Sequence, residues 1–285
     1  MKQYLLTGSL LLSACCPTIV GPPGDASSID WTPTERFDDE SVIDCKGAKR
    51  GRLDIRKSNV TVKNCTIEGD VRVWGLARNA SAPLLQDISR KVDYVSVIRK
   101  AAPAHTTIEN CTITGTGTIP LYIGPGSTFT SVTNVKIGGV STSTMVYLGA
   151  ESYKTTISDS IIDATMSGRE AVAIDASDHN IIRGTTITHS HGGIYLYRNC
   201  GEGGVIRHTT PSYNEINNNV FVGNGVAIWL GSREGNRCYC ENDKGWPFGS
   251  SASDMDHARF NIVQNNQLGN GVVRMGIHSH PNEIQ

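Results

Sequence analysis

Aromatic residues are scarce, at 6% of 285 positions, and neither sign of charge prevails: 26 Lys and Arg stand against 27 Asp and Glu, a formal net charge of -1. With no basic excess, the electrostatic footprint that would advertise a nucleic-acid partner is missing, and no acidic tail suggests a cation store. No apolar stretch reaches the roughly 20 residues of a spanning helix, which excludes a chain that crosses a bilayer on helices. What is present is 30 Gly among 38% hydrophobic residues. That composition is neither collagen-like nor disordered, and its length allows one large domain or two small ones.

Residues 1–14 read as an export signal, with Lys2, an apolar stretch from Tyr4 to Leu12, then the small residues Ser13 and Ala14. Leu12-Ser13-Ala14-Cys15 resembles the lipobox of bacterial lipoproteins. That resemblance implies cleavage before Cys15, lipidation of Cys15, and a mature protein held to a membrane by acyl chains. The alternative is an ordinary secretory signal with Cys15 incidental; both place the protein outside the cytoplasm. Residues 15–40 read as a tether and N-terminal cap, since Pro17 to Pro33 is rich in Pro, Gly and Ser and has no apolar period.

From residue 41 to 285 a repeat emerges. Val62, Ile108, Val132, Ile157, Ile182, Ile216 and Val263 are followed two positions later by Asn64, Asn110, Asn134, Asp159, Gly184, Asn218 and Asn265. Five positions later stand Ile67, Ile113, Ile137, Ile162, Ile187, Phe221 and Leu268. The intervals of 46, 24, 25, 25, 34 and 47 residues fit a coil of about 24 residues with insertions in three of them. A second strand in each coil alternates apolar residues, as in Val71 and Val73, Leu121 and Ile123, Val172 and Ile174. Short strands of this kind bury a face only when coils stack, so the pattern predicts an all-β, single-stranded, right-handed parallel β-helix of about eight coils. The Asn column is expected to turn the chain in the left-handed conformation and to bond amide to amide between coils. Over about residues 41 to 278 the pattern resembles the parallel β-helix repeat family, which includes pectate lyases and their relatives. The resemblance specifies a fold that carries many functions.

The register also assigns outward columns of the second strand. One reads Asp54, Arg72, Tyr122, Tyr147, Ala173, Tyr195, Trp229, Arg274; the next reads Arg56, Trp74, Gly124, Gly149, Asp175, Tyr197, Gly231, Gly276. Aromatic rings present flat surfaces to sugar rings, and glycines leave room for a ligand close to the backbone. Arg72, Trp74, Tyr122, Tyr147, Tyr195, Trp229 and, in a following loop, Arg233 are therefore candidate polysaccharide contacts. The bland alternative is that the rings only stabilise the solenoid. Uninterrupted coils need 8 or 9 residues to return to the Asn strand, whereas longer loops run from Val73 to Ile108, Leu196 to Ile216 and Leu230 to Val263. All three leave from one corner, where they are expected to wall a groove.

Within that groove Asp175, His191, Tyr197 and Arg198 are the candidate catalytic residues. The order Asp175, then His191-Gly192, an apolar strand and Arg198 is similar to the catalytic region of β-helical mannuronan epimerases and alginate lyases, although their Asp-Pro-His is here Asp175-Ala176-Ser177. The resemblance implies an Arg that neutralises a uronate carboxylate and a His or Tyr that removes the carbon-5 proton. Hydrolysis by paired carboxylates fits less well, because only Asp175 is well placed. No cofactor is expected: calcium is conceivable for a pectate-type fold, but no Asp cluster would hold it, and His278-Ser279-His280 lacks companion ligands.

Of eight cysteines, Cys65 and Cys111 share one repeat position and read as buried free thiols, a stack that Cys45 can join. Cys200 is expected to bond Cys238 or Cys240, tying two loops together, and Trp246-Pro247-Phe248 within 242–256 reads as a lid or as a self-packed loop. The sequence thus predicts an exported polysaccharide-binding β-helix, acting as a uronate lyase or epimerase or serving as a non-catalytic adhesive scaffold. It specifies no oligomeric state.

Overall fold

The computed structural model describes residues 41–74, 89–90, 93–199, 206–235 and 255–285. The expected signal sequence, Cys15, the tether, Cys200, Cys238, Cys240 and the Trp246-Pro247-Phe248 segment lie outside them. The described chain winds into a parallel β-helix of three all-parallel sheets with nine, seven and eight strands. The first sheet holds the strands of the repeat's leading apolar residue, such as Ser131–Thr133, Thr156–Ser158 and Ile181–Arg183. The second follows the Asn corner, with Lys136–Ser141, Ile161–Ala164 and Thr186–His189. The third contains Leu121–Ile123, Val146–Leu148, Val172–Asp175 and Ile194–Tyr197 among its strands.

Three strands per coil, rather than two, follow from the backbone at the Asn column. Asn64, Asn110, Asn134, Asp159, Gly184, Asn218 and Asn265 all take φ between 52° and 59°, which bends the chain and moves the next strand into another sheet. Asn and Gly pay little for this conformation. The amide ladder is local: Asn134 Nδ2 donates to Asn110 Oδ1 at 2.7 Å, and Asp159 and Gly184 interrupt the column above.

A second left-handed corner precedes the first sheet, at Asn59, His105, Phe129, Lys154, His179, Tyr213 and Phe260, with φ between 55° and 59°. Just after it the chain turns inward, and in the later coils this inward column is a buried Asn ladder. Asn180 donates from its backbone and its side-chain amide to Asn214 Oδ1, Asn214 to Asn261 Oδ1, and Asn261 to Asn282 Oδ1, at 2.7–3.0 Å. Each amide satisfies groups one coil away, as burial requires.

The interior is the stack of repeat apolars, with Val62, Ile108, Val132, Ile157 and Ile216 fully buried. Each such side chain contributes about 1.5–3 kcal/mol through burial. Cys45 and Cys65 are joined in a disulfide with Cα atoms 4.9 Å apart, which corrects the expectation of free thiols for that pair. One repeat position in successive coils places two Cα atoms within disulfide reach, so the stacking that made them look like small core residues also lets them bond. Cys111 is a buried free thiol.

Candidate functional site

The outward column of the third sheet is in register as its spacing requires: Asp54, Arg72, Tyr122, Tyr147, Ala173, Tyr195, Trp229 and Arg274 pair strand to strand. Tyr122 and Tyr147 stack at 5.5 Å and 4°, Trp74 leans on Tyr122 at 6.1 Å, and Tyr195 meets Trp229 edge to face at 5.4 Å. Arginines cover both ends, Arg72 over Trp74 at 5.4 Å and Arg274 over Trp229 at 5.5 Å. Between the two aromatic blocks lies Ala173.

The insertions close much of this face instead of walling it. The first forms a helix, Tyr94–Ala101, that buries Tyr94 and Ile98 and ends where Pro103 disfavours further helix. A Cβ on Gly126 would fall 2.8 Å from Ile98 Cγ1, so the room left by that glycine belongs to the helix. Gly276 and Gly231 likewise accommodate Glu234, whose carboxylate accepts hydrogen bonds from the His278 backbone N–H at 2.9 Å and from the Ser279 hydroxyl. The second insertion lies back over the centre. Ser89 of the first loop accepts the Ile206 N–H at 3.0 Å and offers its carbonyl to His208 Nε2 at 2.5 Å, so the two loops brace one another.

Asp175, fully buried, accepts hydrogen bonds from the Tyr147 hydroxyl, the Arg207 guanidinium and, at 2.8 Å, the Asn199 N–H. Asn199 Oδ1 in turn accepts from Arg233 Nη1 at 2.6 Å, and the Arg233 guanidinium lies 4.2 Å above the Tyr197 ring. Tyr197, opposite Asp175 in the sheet, donates to Glu170 Oε1 at 3.1 Å, and Arg169 Nη2 donates to its hydroxyl at 3.2 Å. Burial, reinforced by the Asp175 and Glu170 carboxylates respectively, pushes both phenols, Tyr147 and Tyr197, well above the usual tyrosine value. Beside this network Glu151, also buried, accepts the N–H groups of His208 and Thr209 at 2.7 and 3.1 Å. Burial raises its carboxyl despite these bonds.

Of the four residues expected to act together, the structure places two side by side. Asp175 and Tyr197 are cross-strand neighbours. Arg198 is turned into the third insertion, donating from Nη2 to the Met255 carbonyl at 2.8 Å and from its N–H to Asp256 at 2.9 Å, and the cation on Asp175 is Arg207. His191 sits exposed in the turn before Ile194–Tyr197, where its carbonyl accepts from the Tyr195 hydroxyl at 3.2 Å. Arg207 and Glu151 were invisible to a register argument, because Arg207 lies inside an insertion and Glu151 just past a strand end. Glu170 left a trace: it stands where neighbouring coils carry Thr144 and Gly192, a charge in a column of small residues. Among the described residues no three His, Cys, Asp or Glu side chains converge as a metal-ligand set.

At its C-terminal end the face opens into a pocket of about 360 Å³ lined by Trp229, Arg274, Glu234 and the Gly231 and Gly276 backbone. No family model, curated protein or solved structure matches the chain.

Proposed function

We propose that this protein is an exported polysaccharide-binding β-helix that takes acidic glycans on the outer face of its third sheet. The observation that carries this is the pairing of two in-register aromatic blocks with arginines at either end, Arg72 on Trp74 and Arg274 on Trp229. Rings supply surface for sugar CH groups, and guanidinium groups recognise carboxylates. The open pocket beside Trp229 and Arg274 is the natural point of entry. Export is supported by the Cys45–Cys65 disulfide, a bond that persists in oxidising compartments, and anchoring at Cys15 follows from the lipobox-like Leu12-Ser13-Ala14-Cys15.

Titration calorimetry with polygalacturonate, alginate and a neutral glucan tests this. Trp229→Ala is expected to remove one class of acidic-polymer sites from the isotherm with the circular dichroism spectrum unchanged; identical isotherms for wild type and variant overturn the reading. A uronate lyase or epimerase is the second reading, favoured by the buried Tyr147–Asp175–Arg207 trio, since phenol, carboxylate and guanidinium are the groups that chemistry uses. It requires Arg207 to exchange Asp175 for the substrate carboxylate. Ultraviolet absorbance for the unsaturated product, followed by proton NMR for epimerised residues, separates it from binding alone.

A further inference from the structure

The second corner carries side chains that its backbone does not favour. Phe129, Lys154, His179 and Tyr213 take left-handed φ values of 55–58° where the Asn corner uses residues suited to them. A side chain in this conformation costs roughly 1–2 kcal/mol. Stacking offsets the cost for some, with His105 against Phe129 at 4.9 Å and His179 against Tyr213 at 5.0 Å. Lys154 has only cation–π contacts. Its ammonium lies 5.7 Å from the Phe129 centroid and 5.2 Å from that of Tyr153, contacts that at an exposed site return about 0.5–1 kcal/mol. No carboxylate among the described residues forms an ion pair with it.

Beside this column the outward residues of the first sheet are small or polar apart from Ile181, and the two columns enclose a trough of about 390 Å³. Phe129 and Tyr213 stand at its ends, Lys154 and His179 between them, Ser131 and Thr156 along its floor, and Glu215 beside Tyr213. Four coils at a spacing of about 4.8 Å give the trough a length of about 14 Å. Its volume falls within the range of small-ligand sites, about 300–1,000 Å³.

We propose that this trough binds a short stretch of acidic polysaccharide, running along the solenoid axis, with a uronate carboxylate on Lys154. Sugar rings lie against Phe129 and Tyr213, hydroxyls meet Ser131 and Thr156, and Glu215 accepts hydroxyl donors at the end away from Lys154. An acidic ligand is favoured because Lys154 forms no ion pair among the described residues, and a sugar over a peptide because the remaining lining, Ile181 apart, offers rings, hydroxyls and a single acceptor carboxylate. The site shares a ligand class with the third-sheet face but none of its residues, so the two stand or fall separately.

The test is an amide NMR titration of the protein with trimers of galacturonate, guluronate and mannuronate, alongside a neutral glucose trimer and a tri-glutamate peptide. At least one uronate trimer is expected to shift the Ser131, Thr156 and Glu215 amides, in wild type and in Trp229→Ala alike. Lys154→Gln should weaken that binding at least fivefold, and Lys154→Arg should restore most of it. The proposal is overturned if no uronate trimer moves these amides, if the neutral trimer moves them as well as the acidic ones, or if the peptide binds more tightly. Loss of the third-sheet response in Trp229→Ala with the trough shifts intact leaves this site standing.

Discussion

The third-sheet face and the second corner are both columns of rings that the coil repeat brings into line, yet the first is closed over its centre and opens only beside Trp229 and Arg274, while the second is open along its length. Asp175 and Tyr197 are 0% exposed, whereas Phe129 and Tyr213 are 43% and 50% exposed. The difference comes from the insertions: two of them fold back on the third sheet and bring Tyr94, Ile98, Arg207 and His208 with them, while the trough residues lie at the corner where each coil enters the first sheet. A column of aromatic residues is thus a surface only where no loop returns to it. On the closed face the charges have found internal partners, and on the open corner Lys154 has not.

The widest separation between the two regions should appear in stability. Asp175→Ala takes the Asp175 carboxylate from the largely buried Arg207 guanidinium and from the Tyr147 hydroxyl and removes the acceptor of the Asn199 N–H, which together should cost about 3–5 kcal/mol. Lys154→Ala should stay within about 0.5 kcal/mol of wild type. Urea unfolding of both variants measures this, and a loss below 1 kcal/mol for Asp175→Ala would mean that the closed face is not held by its charge network.

Alkali offers a smaller contrast. Tyr147 and Tyr197 have native pKa values raised by burial above the ordinary value near 10. Their phenols remain protonated in the folded state where the unfolded chain already ionises. The stability they contribute is complete below pH 10 and is lost as pH climbs through the raised values. Tyr197→Phe should cost about 1.5–3 kcal/mol at pH 8, the worth of a hydrogen bond to the Glu170 carboxylate. By pH 11 the gap between wild type and this variant should narrow by about 1 kcal/mol. Tyr213→Phe, on the open corner, should change stability by no more than about 0.5 kcal/mol at pH 8. A gap for Tyr197→Phe that ignores pH would show that its phenol is not sequestered.

The fold was legible because its determinants are periodic. The apolar positions and the Asn turns recur at fixed offsets, and the outward column from Asp54 to Arg274 could be written down strand by strand before any coordinates. The separate second sheet was missed because one left-handed residue, such as Asn134, splits an apparent single strand into two. The network around Asp175 was only half legible: Tyr197 follows from register, but Arg207 arrives from an insertion whose path no period describes, and Arg198, expected in the groove, turns instead into the third insertion. The second corner escaped notice for a different reason. Phe129, His179 and Tyr213 do not look like turn residues, and only the backbone shows that they occupy the left-handed position that Asn fills elsewhere.

That last point can be tested by exchanging the two kinds of corner. Asn134→Phe gives up the bond to Asn110 and puts a bulky ring where Asn tolerates positive φ, and about 2 kcal/mol should be lost. Phe129→Asn does the reverse. It relieves the left-handed cost of roughly 1–2 kcal/mol and gives up stacking on His105 worth about 0.5–1.5 kcal/mol, so its net effect should lie within about 1 kcal/mol of zero. Thermal and urea melts of both variants give the comparison directly. If Phe129→Asn were to cost 2 kcal/mol or more, the ring would be a structural strut whose stacking outweighs its strain, and its unfavourable backbone would no longer point toward a ligand.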